Sequence, residues 1–351
     1  MSRTVTVAHT ALRTLVADLF VSVGVSLKNS RLVADSLVDS DLAGHQSHGV
    51  MRAVDYLRAI RDGEIRPDAE LQVLSRTPAA VVCDAGFGFG QVQMSRLIDL
   101  LVPLAQTHGI ACGTVRRSGH VGRLGEWVER IARRGLCGLM SVNDNGVLRC
   151  VAPPGGSQPC ISTNPIAVGV PTGAEPYVLD ISTSVVANGK IRVAQAAGQD
   201  CPDGWLLNAE GQPTNDPSTR FHDPPGTIRP MGGYKGFGLG MVFDILVGGL
   251  SGGFCPPAPE GEFECNNVLM LIFSPERFSG MPHFLNQSGG LCDFVRNSRT
   301  TVPGIPIRLP GDQSRASAEA QRRGGVPLGA ATWDRLIDCA RDLKVTIPAL
   351  A

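Results

Sequence analysis

The spacing of apolar residues changes along the chain. Residues 9–23 carry Leu12, Leu15, Val16, Leu19 and Phe20 at helical intervals, and residues 28–44 repeat the pattern with Leu32, Val33, Leu37 and Leu42. A third helical pattern runs from about Gly49 to Arg61, so the first 65 or so residues read as a small helical unit. From Leu71 the runs shorten and become rich in β-branched residues. LQVLS, AAVVCD, ACGTVR, CGLMSV, AVGVP and YVLDIS are bounded by Gly, Pro, Asn and Asp and predict strands. The helical patterns QVQMSRLIDLLVPLAQTHG and LGEWVERIARRG lie between them, and this alternation predicts a mixed α/β sheet. Two turn-rich stretches follow, NAEGQPTNDPS and HDPPGTIRPMGG, then a long apolar helix near 236–250 and a strand, NNVLMLIF. The closing GAATWDRLIDCARDL is an amphipathic helix expected to pack back on the N-terminal helices. The expected fold is therefore α/β: a mixed-sheet domain over 71–304, and a smaller, discontinuous helical domain from 1–70 and 305–351. No internal repeat is present.

Composition narrows the classes. The apolar fraction is 43 % and the charged fraction 18 %, enough for a sizeable core. Lys plus Arg equals Asp plus Glu at 32 each with no basic block, which argues against a nucleic-acid partner. GFGLGMVFDILVGGLSGGF (236–254) resembles a membrane span in hydropathy, but Asp244 and its glycines make a buried helix the expectation. The N-terminal stretch lacks a continuous apolar h-region, and the ten cysteines form no C-x-x-C pair; both fit a cytoplasmic protein with free thiols.

Candidate chemistry concentrates in HQSHGVMR (45–52). If a helix begins at Ser47, then His48, Arg52 and Tyr56 share one face, with Ser47 as N-cap. A titratable ring one turn from a carboxylate-binding guanidinium suits a 2-oxo acid, although a solvated polar face would look the same. His45 lies off that face and is expected to be structural or to support the residues that face the substrate. His120 falls in a Gly-flanked turn before a helix. AGFGFGQ (85–91) fails the G-x-G-x-x-G spacing and lacks the acidic residue a dinucleotide loop needs, so no Rossmann fingerprint is present. Lys235 sits in a Gly-rich turn at a helix start, where a phosphate or ribose would meet charge and backbone N–H groups. Asp180 ends a strand, and Asn164 precedes a proline in a turn. No metal-ligand spacing and no serine-hydrolase elbow occur.

SHGVMR, SGHVGRLGEW, STNPIAVGVP, LDISTSVVANGK, GWLLNAEGQPTNDP, MGGYKGFGL and the closing RLPGD occur in this order. Together they resemble the malate/L-lactate dehydrogenase family, over about residues 10 to 345. The resemblance implies an NAD- or NADP-dependent oxidoreductase with a non-Rossmann cofactor-binding domain, acting on a 2-hydroxy/2-oxo carboxylic acid. It also implies a homodimer whose active sites draw on both chains. It places acid–base chemistry on His48 and His120, and substrate contacts on Ser47, Arg52 and Tyr56; the Asn164 amide, from its turn before proline, is a further candidate for substrate contact. Cofactor contacts fall at Asn143, Asp144, Asp180, Ile181, Ser182, Lys235 and Gly311. The acidic and amide residues of SVNDNG depart from the small residues common there in relatives. The alternative reading within the family is NADPH-dependent reduction of a cyclic imine carboxylate.

Overall fold

The computed structural model describes residues 4–350; residues 1–3 and 351, at the two ends of the expected helical unit, lie outside it. The chain opens with a short strand, β1 (Thr4–Val7), then α1 (His9–Ser22), α2 (Leu27–Leu42) and α3 (Met51–Arg61). Ser26 caps α2 by accepting the Asn29 N–H. Near the C-terminus, β12 (Val326–Gly329) pairs antiparallel with β1. The following α11 (Ala330–Asp342) brings Trp333, Leu336 and Ile337 into one core with Leu12, Phe20, Leu37 and Leu57. Phe89 joins that core from the α/β region.

The large sheet has seven strands in the order β2 (Gln72–Arg76), β3 (Ala80–Asp84), β4 (Ile110–Ser118), β11 (Asn266–Phe273), β5 (Cys137–Asn143), β6 (Ile166–Val170) and β7 (Tyr177–Ile181). Only β3 and β4 run parallel; every other neighbouring pair in this sheet is antiparallel. Two helices, α4 (Gly90–His108) and α5 (Leu124–Ala132), cover one face. A Cβ on Gly113 of β4 would lie 2.8 Å from Leu97 and 2.7 Å from Leu101 of α4, so this helix needs glycine to sit so close. The next residue, Thr114, points the other way and donates to the Leu250 carbonyl at 3.3 Å. That carbonyl follows α7 (Tyr234–Asp244), so helices lie on both faces of the sheet.

The predicted apolar helix near 236–250 exists as α7 and a π-helical continuation, Ile245–Gly249, but it is not buried as expected. Tyr234 is 73 % exposed, Ile245 52 % and Leu250 54 %. The inward face is built from Gly236, Gly240 and Asp244 instead. A Cβ on Gly236 would stand 2.3 Å from the Met231 carbonyl, so the small residues are the ones pressed against the protein and the large apolar ones look outward. No described helix is long and apolar enough to cross a membrane.

The remaining elements are peripheral. They are α6 (Asn188–Ala196), a small sheet of β8 (Leu206–Leu207), β9 (Pro213–Thr214) and β10 (Thr227–Ile228), the single turn α8 (Pro275–Phe278), α9 (Met281–Arg296) and α10 (Asp312–Gly324).

Candidate active site

The HQSHGVMR stretch does not begin a helix at Ser47. Residues Gln46–His48 form a 3-10 turn and α3 starts at Met51. Ser47 makes no capping bond. The role expected of it falls to Asp41 on α2, whose buried carboxylate accepts the Val50 N–H at 2.7 Å. The same carboxylate explains Gly49, because a Cβ there would lie 2.0 Å from Asp41 Oδ1. Burial pushes the Asp41 carboxyl up to about 7, against the opposing effect of the Val50 hydrogen bond.

This anchored turn presents Ser47 and His48. Ser47 Oγ lies 3.1 Å from His48 Nδ1. Arg52 donates from Nε to the Ser47 carbonyl at 2.9 Å, and its Nη1 stands 3.4 Å from Asp55. One turn further along α3, Tyr56 Oη is 2.7 Å from His120 Nδ1. Gln91 Nε2 donates to that phenol oxygen at 2.9 Å, which leaves the phenol hydrogen for His120 Nδ1. The imidazole then carries its own proton on Nε2. The His48 and His120 rings stack with centroids 5.5 Å apart and planes 19° from parallel. His48 and Tyr56 thus both meet His120, with Arg52 beside them, but His48 precedes the helix rather than sharing a helix face with Arg52 and Tyr56.

His120 is held by an element that reads as something else in the sequence. AGFGFGQ forms the turn into α4, and the Gly119 N–H donates to the Gly88 carbonyl at 2.9 Å. A Cβ on Gly90 would lie 2.4 Å from the carbonyls of Gly119 and His120. These glycines let the loop seat the His120 backbone, and Gln91 at its end orients the ring through Tyr56. Both imidazoles are kept neutral. Burial is the larger cause, and the Arg52 guanidinium adds to it; His48 is pushed down to about 3 and His120 well below the usual histidine range.

Beside this cluster lies a cavity of about 1100 Å³. Three of the residues expected to bind the cofactor line it: Asp180, Ile181 and Gly311. Asp180 Oδ2 accepts the Gly125 N–H at the start of α5, at 2.7 Å. Arg123 also lines the cavity and went unremarked in the sequence. It is only 7 % exposed, its nearest acid is Glu129 at 3.8 Å, and its buried Nε has no partner. An under-paired buried guanidinium in a cavity of this size fits the phosphates of a nicotinamide dinucleotide. His45, expected to be structural or to support the site, lines the same cavity.

Other expected site residues are placed differently. Asn143 and Asn164 are buried and their amides clamp Asp244: Asn143 Nδ2 donates to Asp244 Oδ1 at 2.7 Å, and Asn164 Nδ2 to Asp244 Oδ2 at 2.8 Å. Both amides tie α7 down through Asp244, while the buried Asn164 Oδ1 has no partner. Asp144 accepts from Ser162 and Asn266, and burial raises its carboxyl to about 6. Ser182 Oγ is spent inside its own turn, on Ser184. Lys235 stands exposed in the first turn of α7, outside the cavity.

Comparison with known proteins gives a consistent picture. Residues 7–337 match the family described as malate/L-lactate dehydrogenase. An L-lactate dehydrogenase from Cupriavidus necator is 32 % identical, the alignment covering 97 % of this chain and 99 % of that protein. A (2R)-3-sulfolactate dehydrogenase (NADP(+)) from Chromohalobacter salexigens is 35 % identical over 92 % of this chain and 94 % of its own length. The solved malate dehydrogenase of Pyrococcus horikoshii OT3 superposes with a TM-score of 0.87 at 28 % identity, covering 99 % of this chain and 98 % of that one.

Proposed function

The chain belongs to the malate/L-lactate dehydrogenase family, and from that premise we propose how its own residues carry out the reaction. The protein is a nicotinamide-dependent oxidoreductase that moves a hydride between its coenzyme and C2 of a 2-hydroxy/2-oxo carboxylic acid. The coenzyme, when bound, supplies or accepts the hydride at its nicotinamide ring. Arg52 holds the substrate carboxylate, since a guanidinium binds a carboxylate through paired charge-assisted hydrogen bonds. His120, with its proton on Nε2, donates a hydrogen bond to the C2 oxygen. His48 moves the proton at that oxygen: neutral in the free protein, it is suited to take the hydroxyl proton during oxidation. For reduction it loads a proton once a bound carboxylate offsets the charge of Arg52.

The observation that carries this reading is the convergence of two neutral, stacked imidazoles on one guanidinium, each ring oriented by a hydroxyl. The 1100 Å³ cavity is the proposed coenzyme site, with Arg123 toward the phosphates and Asp180, Ile181 and Gly311 in its wall. We assign Asn143 and Asn164 a positioning role, holding α7 through Asp244. Lys235 and Ser182 stand outside the cavity of one protomer, and the outward apolar face of α7 supports a homodimer that completes the site across its interface. Separate cores in the helices of both chain ends and under the large sheet support a split into a helical domain and a non-Rossmann sheet domain. The ten free cysteines suit the reducing cytosol. NADH and NADPH oxidation should be followed with pyruvate, phenylpyruvate, oxaloacetate and a cyclic imine carboxylate. Turnover of at least one oxo acid supports the reading, and turnover of the imine alone defeats it.

A further inference from the structure

We propose that His45 is a positioning residue for the coenzyme, latching α10 over the cavity; this rests on the reading of that cavity given above. The helix α10 is polar and contributes no buried residue to any core. It nevertheless forms one wall of the cavity, through Gly311, Asp312, Ser314 and Arg315. It is held by Ala318 against the N-terminal core, by Arg296 of α9 on Asp312 at 3.1 Å, and by contacts at its two flanks. On one flank Arg315 Nη1 donates to the Pro176 carbonyl at 2.7 Å, and the Val178 N–H reaches the Pro310 carbonyl at 3.4 Å. On the other flank α10 stands on the turn after α2. Ser314 Oγ is 3.2 Å from His45 Nε2, and Ser317 Oγ lies 3.3 Å from the position a Cβ would take on Gly44. Ser314 and Ser317 are one turn apart on the helix, so both face that turn.

On this flank the His45 side chain both reaches α10 by a hydrogen bond and lines the cavity. It also belongs to the catalytic turn, because the His48 N–H donates to the His45 carbonyl at 2.9 Å. The ring thus joins the coenzyme wall to the segment that carries the acid–base histidine. Loss of the ring removes the tie on the α2 side of the N-terminal half of α10 and leaves the Arg315 and Pro310 contacts on the other side, where Gly311 has the left-handed φ of +94° that only glycine adopts readily. The coenzyme then has to order that wall on binding, which weakens its affinity.

The experiment is a double-mutant cycle read by coenzyme binding. NADH and NADPH are titrated by fluorescence into the full-length protein, His45→Ala, Ser314→Ala, the double variant and His45→Gln. Each single alanine is expected to weaken the preferred coenzyme about three- to tenfold, the scale of one hydrogen bond. The double variant should be no weaker than the weaker single, because both remove the same contact. His45→Gln, whose amide reaches toward Ser314, should recover most of the loss. The coenzyme Kd should move more than the KM of the oxo acid. Unchanged Kd in both single variants, strictly additive losses, or an effect confined to the oxo-acid KM would overturn the latch. A wild-type protein that binds neither coenzyme would overturn it together with the cavity assignment, and is told apart by that control.

Discussion

The two halves of the site are built by opposite means. The proton-transfer half is interior: Asp41 under Gly49, Gln91 on Tyr56 and Tyr56 on His120 form a chain of short bonds between buried or half-buried groups. The coenzyme half is an open, charged cavity, one wall of which is a helix without a single buried residue. Groups that move a proton must be aligned before substrate arrives, whereas a wall around a large dissociable coenzyme has to let it enter and leave. Substitutions in the first half should therefore cost turnover, and substitutions in the second should cost affinity.

The largest effect, and the sharpest test of that division, is expected from His48→Ala, which should lower kcat by about 10²–10⁴-fold, the usual worth of a positioned acid–base group, while coenzyme Kd stays near wild type. Steady-state rates and a fluorescence titration decide it, and a lost coenzyme affinity with preserved kcat would reverse the assignment. Next comes Arg52→Lys. An ammonium cannot reproduce the paired geometry, so the KM of the oxo acid should rise by about 10- to 100-fold with a smaller change in kcat. Tyr56→Phe leaves the His120 ring without its phenol donor and should reduce kcat about three- to tenfold; Gln91→Leu should mimic it in direction.

A smaller effect sharpens the electrostatics. His48 has a folded pKa of about 3 against an ordinary 6.5, so its contribution to stability is lost as pH falls from 6.5 toward 3. Asp41 is raised to about 7 from 3.8, so its contribution is lost as pH rises from 3.8 toward 7. The two slopes oppose each other between 3.8 and 6.5. Relative to wild type, the Tm of His48→Asn should therefore climb as pH falls through that window, and the Tm of Asp41→Asn should climb as pH rises through it. Difference curves of the same sign would show that one of the two burials is wrongly placed. Finally, Ile245→Asp on the outward face of α7 should convert a dimer to monomers in light scattering, with the fold retained by circular dichroism, because the side chain is exposed in the protomer.

Much of the sheet was legible because its strands are short β-branched runs between turn residues, and β3 to β7 lie close to the segments they predict. Spacing singled out His48, Arg52 and Tyr56 on the assumption of a helix from Ser47; the structure brings them near one another by a 3-10 turn ahead of α3 instead. The rest escaped for physical reasons. The strand β1 pairs with β12 more than 300 residues away, which no local period announces. The helix α10 has no apolar stripe to read. Asp41 acts on Gly49 across a turn, so neither residue signals the other. The apolar run at 236–250 gave the right helix and the wrong burial, since period does not say whether the apolar side faces a core or looks outward. AGFGFGQ shows the same limit: its glycines do permit close approach, but to the backbone of His120 rather than to a phosphate.

Where the hydride goes is the most direct question. The protein should be incubated with NADH or NADPH deuterated on the transferring face of C4, together with an oxo acid it accepts, and the product read by proton and deuterium NMR. Deuterium at C2 of a 2-hydroxy acid is the expected result. A hydroxy acid without label at C2, or reduction seen only with a cyclic imine, would contradict hydride transfer to the carbon beside the carboxylate held by Arg52.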